Sequence, residues 1–127
     1  MSTALIKVAL VQEVNQGDAQ SNLLRIEQRV AEAVQQGAQL VLLQELHNGA
    51  YFCQHESADE FDRAEPIPGP SCDRLSALAK RHGVVLIGSL FERRAAGLYH
   101  NTAVVFENTG ELLGKYRKMH IPGDPGF

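Results

Sequence analysis

The chain has no tryptophan, only two cysteines and two methionines, and only 6% aromatic residues in 127 positions. Two cysteines do not make a disulfide framework, so both thiols are expected free, in a reducing cytoplasm. Basic residues are not in surplus: 12 Lys and Arg stand against 15 Asp and Glu, for a net charge of −3. That balance argues against a dedicated nucleic-acid binder, which usually carries an excess of positive charge. No apolar run approaches the ~20 residues that span a bilayer, so no membrane partner is expected. The opening "MSTALIKVALVQ" places Lys7 inside the apolar stretch rather than ahead of it, so no signal peptide is read. The histidines at 47, 55, 82, 100 and 120 form neither H-E-x-x-H nor a Cys/His cluster, and no metal or cofactor is assigned.

What remains is an ordinary globular composition, 44% hydrophobic, at the commonest size of a single domain. No repeat, low-complexity tract or linker divides it. "LIKVALVQ" (5–12) is a short run rich in branched residues, which predicts a buried strand. Asp18 is a cap for the helix that follows, where Leu23, Ile26, Val30 and Val34 recur at helical spacing before Gly37. "LVLLQ" (40–44) predicts a second buried strand, and "EPIPGP" (65–70) a loop. Ser71 is the expected cap of a second helix that carries Leu75, Leu78 and Ala79 and stops at Gly83. "VVLIGSL" (84–90) predicts a third strand, and "LYHNTAVVF" with "ELLGKYRK" a hairpin about the turn "ENTG". Apolar strands alternating with helices predict an α/β sheet covered on both faces, with ligands beyond the strand ends.

Glu45 stands at such an end, just past the second strand. Alternation groups it with Val41 and Leu43. A carboxylate there is expected to be partly desolvated, which suits it to accept a proton near neutrality; a solvated loop glutamate is the plainer reading. In "GKYRKMHIP" (114–122) alternation sets Gly114, Tyr116 and Lys118 on one face and Lys115 and Arg117 on the other. Lys118 is therefore expected to point inward, while its basic neighbours point out. An inward ammonium needs a carboxylate, and Glu45 is the candidate. A basic edge strand that discourages aggregation is the alternative.

The segments "LLQELHNGAYFCQ" and "GKYRKMHIP" resemble the nitrilase, or carbon–nitrogen hydrolase, superfamily, as do "IKVALVQ", "PIPGP" and "YHNTAVVF" in the same order. "QEL…YFCQ" and "KMHIP…DPGF" look most like its branch acting on N-carbamoylputrescine. The resemblance implies an αββα four-layer sandwich, with residues 1–127 as the N-terminal portion of one domain supplying strands to both sheets. It implies a Glu–Lys–Cys trio: Glu45 as general base, Lys118 stabilising the oxyanion. It also implies a small carbamoyl amine as substrate and association into at least a dimer. The family's nucleophilic cysteine lies well downstream of the lysine motif. Neither Cys53 nor Cys72 matches it, so these residues alone are expected to be inactive, and poorly soluble or partner-dependent.

The same resemblance puts Tyr51 and Cys53 on a substrate-pocket wall, with core packing as the alternative for the aromatic residue. His120 is read as support for the loop after Lys118, and Asn101 as structural. Cys72, at a helix start, is read as inert. Glu56, Asp59 and Glu60 are read as a solvated acidic run, and "GDPGF" as a flexible loop. A non-catalytic α/β interaction module is the competing reading of the whole.

Overall fold

The computed structural model describes residues 3–55 and 57–123. The readings of Glu56 and of Asp124–Phe127 lie outside them. Five strands are present: β1 (Val8–Val11), β2 (Leu40–Leu43), β3 (Val85–Ala95), β4 (Leu98–Phe106) and β5 (Leu112–Arg117). Two helices, α1 (Ala19–Gln35) and α2 (Pro70–His82), connect the first three. Two short 3-10 segments, Phe52–Gln54 and Ala58–Arg63, lie between β2 and α2.

All five strands form one sheet in the order β1-β2-β3-β4-β5, which corrects the expectation that they divide between two sheets. The first three run parallel, and the last two return as antiparallel hairpins. Crossovers of one hand that step the same way across a sheet leave their helices on the same side. Val11, Val41, Leu43, Leu86, Leu90, Val104 and Phe106 of the sheet accordingly pack against Ile26, Val30, Leu75, Leu78 and Ala79 of the helices. The opposite face is open. There Leu10 is 72% exposed, Leu42 39% and Tyr116 63%, so the expectation of cover on both faces holds for one face only of these residues.

Local chemistry explains most boundaries. Asp18 caps α1 as expected, its carboxylate accepting from the Ser21 N–H at 2.9 Å and hydroxyl at 2.7 Å. Gly83 closes α2 in the left-handed region, at φ 60°. The start of α2 differs from expectation. Gly69 is the capping residue and Pro70 opens the helix, where its missing N–H and fixed φ suit the first turn. Ser71 lies inside that turn, and its N–H donates to the Glu65 carboxylate at 3.0 Å. β3 runs to Ala95, five residues past the apolar run, because pairing with β4 continues through the polar Glu92 and Arg93.

Candidate functional site

β2 ends at Leu43, and the chain turns sharply at Leu46, a non-glycine residue at φ 52° whose side chain is buried. The Leu46 N–H donates to the Ser89 hydroxyl on β3 at 2.9 Å, which pins the turn to the sheet. The strand's alternation ends with its last residue, Leu43, and does not carry on to Glu45. Glu45 therefore does not share the buried face of Val41 and Leu43. Its carboxylate sits on the open face, where it borders a surface depression with Leu42, Ile87, Asn101, Ala103 and Lys118.

Lys118 reaches the same place from the far end of the sequence. Its N–H donates to the Asn101 carbonyl at 2.8 Å, which extends the β4–β5 ladder one residue past Arg117. Its ammonium then donates to Glu45 Oε1 at 3.0 Å, across a sequence separation of 73 residues. Asn101 Nδ2 donates to the same oxygen at 2.6 Å. The Glu45 hydrogen bond raises the Lys118 pKa above the ordinary lysine range and so holds the ammonium charged. The side chains of Lys118 and Glu45 are 36% and 44% exposed, so the desolvation expected of Glu45 is not supplied by these residues. Asn101, expected to be structural, touches the carboxylate directly. Its place opposite Lys118 in the hairpin was the signal that it shares a face with the lysine.

The other face of β5 corrects a second expectation. Lys115 and Arg117, whose side chains remain 32% and 30% exposed, turn under the sheet to Glu92 of β3, which is 1% exposed. Arg117 donates to Glu92 through Nε at 2.8 Å and Nη2 at 2.7 Å, a two-pronged contact. Lys115 adds a bond at 3.2 Å, and the Thr102 hydroxyl of β4 one at 2.8 Å. The Arg117 bonds, with help from Thr102 and Lys115, outweigh burial and hold the Glu92 pKa down to about 2. Sequence reading missed Glu92. The available signal was charge phase: Glu92 falls on the period-2 face of Leu86 and Leu90, and two cations two residues apart lie on the strand beyond.

Beside the Glu45–Lys118 pair lies an apolar cavity of about 220 Å³, walled by Tyr51, Phe52, Cys53, Phe61, Phe91 and Tyr99 among others. Its aromatic side is continuous: Phe52 and Phe91 centroids are 4.7 Å apart, and Phe61 and Tyr99 4.4 Å. The geometry thus brings Tyr51 and Cys53 to the cavity that Lys118 borders. The neighbouring Cys53 thiol, then partial burial, raises the Tyr51 pKa above the ordinary phenol range. Cys53 is exposed, whereas Cys72 is buried in the first turn of α2 and burial pushes its thiol pKa up. His120 is exposed, and among the described residues its side chain makes no hydrogen bond. His47, two residues past Glu45, is 2% exposed and lies against Gly88, where an added Cβ would come within 3.1 Å of Nε2. Burial lowers its pKa to about 4.

Chemically, the site offers a proton acceptor and a fixed cation side by side, opening on an apolar recess. Among the described residues no group of three or more His, Cys, Asp and Glu is placed to hold a metal ion. No helix among them is long and apolar enough to cross a membrane.

Residues 7–127 match the carbon-nitrogen hydrolase family. The chain is 41% identical to an N-carbamoylputrescine amidase of Solanum lycopersicum over 97% of its length and 41% of that protein. It is 34% identical to a citrullinase of Francisella tularensis over 98% of its length and 43% of that protein. A crystal structure of a carbon-nitrogen hydrolase from Helicobacter pylori superposes with a TM-score of 0.88 at 43% identity, covering 92% of this chain and 40% of that one. The chain thus spans about two-fifths of the length of the relatives it matches. On sequence and fold alike, it belongs to the carbon-nitrogen hydrolase family.

Proposed function

We propose that the protein carrying these residues is a thiol amidohydrolase that cleaves the carbamoyl C–N bond of N-carbamoylputrescine. The observation that carries this reading is the 3.0 Å contact of Lys118 with Glu45 at the edge of an aromatic-walled cavity. Glu45 accepts the proton of a cysteine supplied from outside these residues, since a free thiol with a pKa near ~8.5 needs a base to become nucleophilic. The thiolate adds to the carbamoyl carbon, and Lys118 stabilises the oxyanion that forms. Collapse expels putrescine, which takes up the proton held by Glu45, and leaves a carbamoyl thioester. Glu45 then deprotonates water; attack on the thioester returns the thiol and releases carbamate, which decays to carbon dioxide and ammonia. Tyr51 and Cys53 wall the recess that takes the aliphatic chain. The setting is polyamine synthesis in the cytoplasm, by an enzyme of at least two subunits.

The relatives' names differ in substrate, and the difference is chemically narrow. N-carbamoylputrescine and citrulline share a terminal ureido group, a methylene chain and a far ammonium; citrulline adds a carboxylate beside that ammonium. The apolar wall takes the methylene chain common to both, and burying citrulline's extra carboxylate against it would cost desolvation. The test is ammonia release by the protein extended beyond residue 127, with each compound offered separately. Turnover of N-carbamoylputrescine well above citrulline is expected, and the reverse order would refute the substrate. The 127 residues alone are expected to be inactive. Robust activity from a polypeptide of verified length, abolished by Cys53→Ser, would make Cys53 the nucleophile and overturn that part. The reading as a non-catalytic module is favoured, for these residues alone, by the exposure of the pair; inactivity of the extended protein on both compounds would establish it.

A further inference from the structure

Among the described residues, Lys118 is held by one backbone hydrogen bond, to Asn101, and by its own contact with Glu45. It follows the last residue of β5, the final strand of the sheet, which among the described residues pairs with β4 alone. That pairing already contains an irregularity: Phe106 opposes Leu112 whereas Val105 opposes Gly114. A strand that accommodates a bulge is one whose register needs fixing, because a slip of one residue exchanges its two faces. In β5 the exchange would carry Lys118 from Glu45 to the opposite side of the sheet and bring Arg117 up in its place.

The device that prevents this lies beneath. Glu92 projects from β3, passes under β4, and takes both prongs of Arg117, the ammonium of Lys115 and the hydroxyl of Thr102. It therefore fastens three strands at one buried point. Arg117 is the residue immediately before Lys118, and its pairing with Thr102 sits beside the Asn101–Lys118 bond. Any displacement of Arg117 along the strand is passed to Lys118 through one peptide unit. The planar guanidinium fork accepts little angular play, unlike a single ammonium contact.

We propose that Glu92 is a positioning residue: by clamping Arg117 and Lys115 it sets the register of β5 and so holds the Lys118 ammonium at Glu45. The inference rests on the catalytic reading of that pair, and the experiment separates the two. In the full-length protein, Glu92→Gln keeps the side chain's size and its acceptor for Thr102 but removes the charge that holds the fork. Variants are compared where circular dichroism shows them folded. Expected are a fall in kcat of about 10²-fold, the scale for a misplaced catalytic group, and a KM changed less than ~2-fold, as for loss of transition-state stabilisation alone. Independently of activity, the Lys118 ε-carbon resonance, assigned by its loss in Lys118→Arg, should titrate at lower pH once Glu45 no longer contacts it. A folded Glu92→Gln with unchanged kcat and unchanged Lys118 titration would overturn the proposal. Should Glu92→Gln fail to fold, Arg117→Lys decides in its place. It keeps the charge and loses the fork, and it is expected to lower both kcat and the Lys118 titration; no change in either would overturn the proposal equally. If Lys118→Ala retains turnover, the catalytic reading fails, while the resonance still reports whether Glu92 places the lysine.

Discussion

Glu45 and Glu92 are the same residue type, both meet cations of one short strand, and they live on opposite sides of it. Glu92 is enclosed, bonded through both oxygens, and held ionised far below the usual carboxylate range. Glu45 is half exposed and shares one oxygen between Lys118 and Asn101. A saturated carboxylate has no lone pair left to take a proton in a reaction, so it serves structure. A carboxylate with one oxygen unbonded among the described residues is available for chemistry. The alternation of β5 delivers Lys115 and Arg117 to one purpose and Lys118 to the other.

Breaking either member separates these roles by what is lost. The largest effect is expected at the open face: in the full-length enzyme, Glu45→Gln or Lys118→Ala should each reduce turnover by ~10²–10³-fold or more. Ammonia release measures it, and a mild effect from either would refute its role. Thermal stability should change little, because the pair is solvated. Next is Glu92→Ala, which strands two cations against a buried surface. Loss of one partner of a buried ion pair costs about 3–5 kcal/mol, to be read as a lowered urea midpoint. Asn101→Ala should be intermediate in activity. Hydrogen bonds to charged groups contribute about 1.5–3 kcal/mol, so a fall in kcat of roughly 10- to 10²-fold is expected as that bond orients Glu45 in the transition state. The smallest effect should come from Arg74→Ala. Its exposed bridge to Glu27 joins α2 to α1, and such pairs contribute about 0–1 kcal/mol.

Acid sharpens the comparison further. His47 has a folded pKa of about 4 against an ordinary 6.5, so the unfolded chain binds its proton first. Stability should therefore fall as pH drops from 6.5 towards 4, and His47→Asn should flatten that limb of the urea-midpoint profile. Glu92, at about 2 against 4.5, makes its own loss lower down, between pH 4.5 and 2. Glu92→Gln should leave the upper limb intact.

Much of this was legible in the residues. The order of elements, the Asp18 cap, the Gly83 stop and the turn at "ENTG" all follow from local chemistry, and the structure carries them. Period-2 alternation placed Lys118 opposite to Lys115 and Arg117 correctly, because β5 stays extended to its end. The same rule failed for Glu45, because the strand stops at Leu43, two residues before it, and its alternation does not carry on. It also misjudged which face of β5 is buried. An edge strand rich in cations reads as solvated unless the acid that neutralises it is recognised, and Glu92 sits in a different hairpin. That all five strands join one sheet depends on long-range pairing, which no local pattern encodes.

The turn at Leu46 carries a mechanical consequence. A branched side chain in the left-handed region stores roughly 1–2 kcal/mol of backbone strain, and here it is restrained by burial of the leucine and by the tether to Ser89. The neighbouring acid is thus mounted on a loaded spring with two catches. Releasing either catch, by Ser89→Ala or by shortening the leucine, would let the turn relax and swing the carboxylate off its lysine without touching either charge.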